Sequence, residues 1–196
     1  MTKPMIPTTL AAVMLATACA GTTSPATTSP VTPRVTSKSA SINLAQVELA
    51  QRAWCDALIE IGRVGASGGD AQAVAAKVLS TAYDYDTGTV LFKPTLTFGS
   101  QTFRMSRAGA LAYFVGGDPS YPDDKGFARK QWVKCEPTIA GIVAADAMAV
   151  AMGKVALEDV HGNKVTVDKT FGYRRTDDGQ LRIVVHHSSL PYSPPK

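Results

Sequence analysis

The spacing of apolar residues changes once along this chain, and that change restricts the fold more than any other feature. Over residues 43–64, Leu44, Val47, Ala50, Trp54, Leu58 and Ile61 recur every three or four positions, which places them on one face of an amphipathic helix. Asn43 can cap its start, and Gly65 lies just beyond its end. After a Gly-rich turn at residues 67–69, Asp70 can cap a second helix carrying Val74, Val78, Leu79 and Tyr83. The pattern then turns to β type, with short runs at 90–92 and 95–98 separated by Pro94, a residue confined to edges and bulges. Ser106 can cap a short third helix bearing Leu111, Tyr113 and Phe114, which Gly116 and Gly117 end, and residues 118–125 form a surface loop. Beyond Phe127, residues 132–143, 147–157, 164–175 and 181–188 are strand-like, and His161-Gly162-Asn163 and Asp177-Asp178-Gly179 suit tight antiparallel reversals. Helices followed by a meander of strands predict one α+β domain over residues 42–193, with the N-terminal helices on one face of a strongly curved, mainly antiparallel sheet. Such a half-cone encloses a pocket.

The segment ahead of this domain has a different character. Lys3, an apolar run at 10–15 and the small residues Ala16-Thr17-Ala18-Cys19-Ala20 follow the order of a secretion signal over residues 1–20. Two cleavages compete: Ala18-Cys19-Ala20 suits ordinary signal peptidase, whereas Leu15 to Cys19 resembles a lipobox in which Cys19 becomes the acylated first residue. Residues 21–41, rich in Thr, Ser, Pro and Ala, bury too little apolar surface to offset their ordering entropy and predict a disordered tether. A tether directly after Cys19 is what a lipid-anchored domain needs to stand off a membrane, so the chain is expected to be exported to the periplasm, with lipidation at Cys19 favoured over plain export. Cys55 and Cys135 remain, in a compartment where disulfides persist. A bridge between them and two separately buried thiols are both open.

Composition excludes two function classes. The net charge of +4 comes from basic residues scattered along the chain, without the clustered run of a polyanion-binding surface, so no nucleic-acid partner is expected. No stretch approaches the roughly 20 apolar residues of a membrane-spanning helix.

Candidate chemistry gathers late in the chain. His186-His187-Ser188-Ser189 ends an apolar strand, and alternation puts His186 and Ser188 on one face and His187 and Ser189 on the other unless a bulge intervenes. Adjacent histidines in regular β structure cannot share one metal ion. His161 sits in a turn, and neither a His-Glu-x-x-His helix nor a Cys-x-x-Cys pair is present, so the residues favour no metal site. Thr95 and Tyr113 are further candidates, a hydroxyl on the first β segment and a phenol on the helix opposite it.

Three stretches together resemble one family. Thr87-Gly88-Thr89-Val90-Leu91-Phe92-Lys93-Pro94-Thr95, Ala110-Leu111-Ala112-Tyr113-Phe114-Val115-Gly116-Gly117-Asp118 and His186-His187-Ser188-Ser189-Leu190-Pro191, with Gly126-Phe127-Ala128 and Trp132, are similar to the iota-class carbonic anhydrases, a branch of the NTF2-like proteins related to the calcium/calmodulin-dependent kinase association domain. The likeness spans about residues 44–191. It implies an NTF2-like cone, dimeric or larger, that interconverts carbon dioxide and bicarbonate. Zinc and manganese are both associated with the family, as is metal-free catalysis, which the ligand count here favours. The resemblance puts the family's pocket threonine at Thr95, its tyrosine at Tyr113, and its histidine and serine at His186 and Ser188. The three hydroxyls would hold water and the carbon dioxide oxygens, while His186 would orient the water or take its proton. Two other functions need the same fold: a non-catalytic module that binds a ligand in a roomy pocket or assembles oligomers, and an isomerase or dehydratase with an acidic base inside the cone, for which Asp86 is the nearest candidate.

Overall fold

The computed structural model describes residues 41–195, so the secretion signal, Cys19 and all of the tether but Ser41 lie outside the described residues. Helix α1 runs Leu44–Ala66, opened by a reciprocal cap in which the Gln46 amide donates to the Asn43 side chain and the Asn43 amide donates back to that of Gln46. Its buried stripe includes Val47, Trp54, Cys55, Leu58 and Ile61, most of the predicted face, whereas Leu44 at its start is exposed. The helix passes through Gly65 and stops two residues later than expected, because the residue that takes a left-handed φ of 79° is Gly68. Helix α2, Ala71–Ala82, is capped by Asp70 as expected. Tyr83 falls outside it, in extended backbone bridged to Ile183.

The sheet has the order β1-β5-β4-β3-β2, with β1 (Leu91–Lys93), β2 (Trp132–Ala145), β3 (Met148–Asp159), β4 (Lys164–Arg175) and β5 (Leu181–Ser189). Strand β1 runs parallel to β5 and every other pair is antiparallel. This is the predicted α+β class, with one correction. Residues 95–98 are not a strand: Pro94 has no N–H to continue the ladder, and the chain turns, with the Thr97 hydroxyl donating to the Thr102 carbonyl. Helix α3, Arg107–Val115, starts at Ser106 and ends at Gly116, as its flanking residues predict.

The register shifts between Ile139 and Gly141 and again between Gly172 and Tyr173, and such irregularities bend a sheet. Gly153 is where β2 crosses closest, since a Cβ there would collide with the Thr138 carbonyl. One apolar core joins α1, α2, α3 and the inner face of the sheet. Cys55 of α1 and Cys135 of β2 form a disulfide with Cα atoms 5.3 Å apart, which settles the alternative left open by the sequence and ties the first helix to the far edge of the sheet.

Candidate active site

Strand β5 is central at its C-terminal end, flanked by β1 and β4, and this position builds the site. His186 lies in register with Phe92 on β1 and Phe171 on β4, so three rings share one face. Their centroids are 4.5 Å apart for Phe92 and His186 and 4.6 Å for Phe171 and His186. Trp54 of α1 closes over the imidazole edge-on at 5.4 Å. The pairing of β4 with β5 is unbroken from Asp168 to Gly172, so no bulge disturbs alternation there. His186 and Ser188 point inward, both buried, while His187 is exposed and Ser189 half-buried.

Both imidazole nitrogens are engaged. Nδ1 lies 2.9 Å from the Tyr83 hydroxyl, which also accepts from the Trp54 indole N–H at 2.9 Å. Nε2 lies 2.7 Å from Nζ of Lys169, a residue in register with Ser188 on β4. Burial, then the charges of Lys169 and His187, hold the imidazole well below its ordinary pKa. Burial, with the nearby Lys93 ammonium, lowers the Lys169 amine to about 7. Both groups of this coupled pair therefore lean towards their uncharged forms.

One strand position further, the hydroxyls of Thr95 and Ser188 are 2.6 Å apart. The turn after Pro94 aims Thr95 back at β5, and Lys93 secures that edge by donating to the Ser188 carbonyl at 2.9 Å. Tyr113 reaches in from α3. Its hydroxyl is buried beside Thr95 and Leu96 yet makes no hydrogen bond of ordinary geometry, and burial pushes the phenol pKa up. It is a donor without a partner.

Thr95, Tyr113, His186 and Ser188 thus converge on a single cleft, walled by aromatic rings and by Lys169. About 170 Å³ of empty space lies between these side chains, so narrow that a water-sized sphere does not fit. Larger hollows, with about 1250 and 1030 Å³ of empty space and room for water, open elsewhere and contain none of the four. The cleft that holds the four residues is therefore tight, unlike the roomy pocket of a ligand-binding module. Asp86 is exposed and paired with Arg107 outside the cleft, so it cannot serve as a base inside it. Among the described residues, no group of three His, Cys, Asp or Glu side chains gathers that could hold a metal ion.

Lys169, Tyr83 and Trp54 belong to this site and were not singled out from the sequence. For Lys169 a signal exists: residues 167, 169, 171 and 173 share one face of β4 and read Val, Lys, Phe, Tyr, a single cation on an otherwise inward-facing set.

The family described as metal-independent carbonic anhydrase matches residues 45–190. A metal-independent carbonic anhydrase from Nostoc sp. (strain PCC 7120 / SAG 25.82 / UTEX 2576) is 50% identical over 145 residues, 73% of this chain and 71% of that protein. The crystal structure of a cyanobacterial iota-carbonic anhydrase complexed with bicarbonate superposes with a TM-score of 0.77 at 47% identity, covering 79% of this chain and 95% of that one. An NTF2-like superfamily protein from Salmonella enterica aligns more loosely, at 12% identity and a TM-score of 0.41 over 76% and 96% of the two chains.

Proposed function

The chain belongs to the metal-independent carbonic anhydrases, and we propose that it hydrates carbon dioxide to bicarbonate, reversibly and without a metal cofactor, in the cleft between Thr95, Tyr113 and Ser188. The observation that carries this placement is the convergence of the Thr95–Ser188 hydroxyl pair with the unpartnered Tyr113 hydroxyl in a narrow cleft walled by aromatic rings. As water adds to the carbon, negative charge grows on the carbon dioxide oxygens. Fixed hydroxyl donors stabilise that charge strongly where bulk water is excluded. A cleft this small suits a three-atom substrate, and the bicarbonate held by the solved cyanobacterial relative is the matching product. The tight fit also means that side chains must yield slightly to admit the substrate.

His186 acts in this scheme as an anchor. Both of its nitrogens are occupied and its ring is held neutral, so it positions Lys169 and has no nitrogen left to take a proton from water. The test is carbon dioxide hydration by chelator-treated protein whose metal content has been measured. Thr95→Val and Ser188→Ala should each lower the rate on the order of 100-fold, the usual effect of deleting one oxyanion donor. Rates unchanged in both variants would remove the hydroxyl pair from the mechanism.

Export to the periplasm, with Cys19 as a lipid anchor and residues 21–41 as the tether, is part of the same proposal. The Cys55–Cys135 disulfide supports it, because such bonds persist in oxidising compartments. A homodimer is proposed as well: Val143, Met148, Val150 and Met152 form an exposed apolar strip on the outer face of paired β2 and β3, which a second copy would cover. Light scattering on the purified domain should give twice the chain mass, and Val150→Lys with Met152→Lys should halve it.

A further inference from the structure

We propose that Lys169 is the base of the reaction: uncharged, it takes the proton from the attacking water, and charged, it holds the bicarbonate product. This rests on the carbon dioxide chemistry assigned to the cleft above. Lys169 lines that cleft with Thr95, Tyr113 and Ser188, and its neighbour across the β4–β5 ladder is Ser188 itself. Its amine lies 4.4 Å from the centroid of the Trp54 ring, and among the described residues no carboxylate pairs with it. The titratable groups around it are Lys93 from β1, His186 from β5, Tyr113 from α3 and, through His186, Tyr83 at the end of α2. Both tyrosines are held protonated by burial. A buried amine whose only charged neighbour is another cation gives up its proton readily, which is why Lys169 titrates at about 7.

The hydrogen bonds let that proton come and go. With His186 Nδ1–H given to the Tyr83 oxygen, Nε2 accepts an N–H from Lys169 whether the amine is charged or not. The uncharged amine keeps its lone pair for the cleft, and protonation adds an N–H there without rebuilding the anchor. In the hydration step the water oxygen bonds to carbon, and one C=O electron pair moves onto the oxygen held by the Tyr113 hydroxyl and by the one O–H that the mutually bonded Thr95 and Ser188 hydroxyls leave free. The water O–H bond breaks and its proton passes to Nζ. No electrons leave the system. The products are bicarbonate and an ammonium beside it, and the ammonium later loses its proton to solvent.

This arrangement gives the two directions of the reaction opposite pH dependences. Hydration needs the uncharged amine, so kcat/KM should rise with pH through an inflexion near 7; dehydration needs the ammonium and should fall through the same inflexion. The experiment measures both directions by isotope exchange for the full protein, Lys169→Met and Lys169→Arg, with melting temperatures to verify folding. NMR of selectively labelled lysine in the parent protein follows Lys169 directly, assigned by its loss in Lys169→Met. Lys169→Met should lose about 100-fold in both directions, and Lys169→Arg, charged at every pH, should lose hydration. The Lys169 signal should titrate near 7. Folded Lys169→Met within about threefold of the parent at all pH values would overturn the role, as would titration near 10.5 in an active parent. A parent with no hydration activity would instead overturn the function on which the role rests.

Discussion

His186 sits between Phe92 and Phe171, with Tyr83 on one nitrogen and Lys169 on the other, so its surroundings leave it no freedom to turn. Tyr83 is the hinge of this arrangement, because it accepts from the Trp54 indole and shares a hydrogen bond with His186 in a fully buried place. Tyr83→Phe leaves the buried Trp54 N–H and His186 Nδ1 without a partner and should cost about 1–3 kcal/mol in urea unfolding, with a fall in hydration rate as the imidazole that holds Lys169 loosens. Tyr113→Phe should behave differently: its hydroxyl has no internal partner, so stability should hold or rise slightly while activity falls. At this scale the sequence was informative wherever strand parity applied. Alternation alone put His186 and Ser188 on the same face, and the unbroken register of β5 against β4 keeps them there. It was uninformative for Tyr83, whose place in a helical spacing concealed that the helix ends one residue earlier and the backbone extends beneath Ile183.

Among the elements, the strands of the meander were legible because each is long, alternating and bounded by turn residues; β4 was predicted over the residues it occupies. The run after Pro94 misled because Thr, Leu and Phe favour strands by side chain, whereas the missing N–H of Pro94 is a backbone fact that outweighs them. That departure matters, since the turn is what brings the Thr95 hydroxyl within 2.6 Å of Ser188. The disulfide between α1 and β2 joins residues 80 apart in sequence, a separation that local patterning does not register. Replacing both Cys55 and Cys135 with Ser should lower stability by about 2–5 kcal/mol in denaturant titrations. Asn43→Ala, which breaks the reciprocal cap of α1, should cost about 1 kcal/mol.

For the whole molecule, burying an amine and an imidazole in neutral form links stability to pH. The folded pKa of Lys169 is depressed to about 7, so between that pH and 10.5 the unfolded chain binds a proton that the folded chain does not, and stability rises with pH across the window. The folded pKa of His186 is likewise depressed, so stability falls as pH drops below 6.5. Lys169→Met should therefore be more stable than the parent at pH 7, on the order of a few kcal/mol, and should lose the rise above that pH in thermal melts. Higher stability with lower activity is the signature of a group retained for chemistry rather than for folding. In the proposed reaction, three hydroxyls and an amine in one narrow cleft take the place of a metal ion. The most direct measurement is a crystal structure of this protein with bicarbonate. The anion should lie in the cleft, its oxygens about 2.7–3.0 Å from the Thr95 and Ser188 hydroxyls and from Lys169 Nζ, with the aromatic walls displaced to admit it. Bicarbonate bound elsewhere, with the cleft still shut, would contradict it.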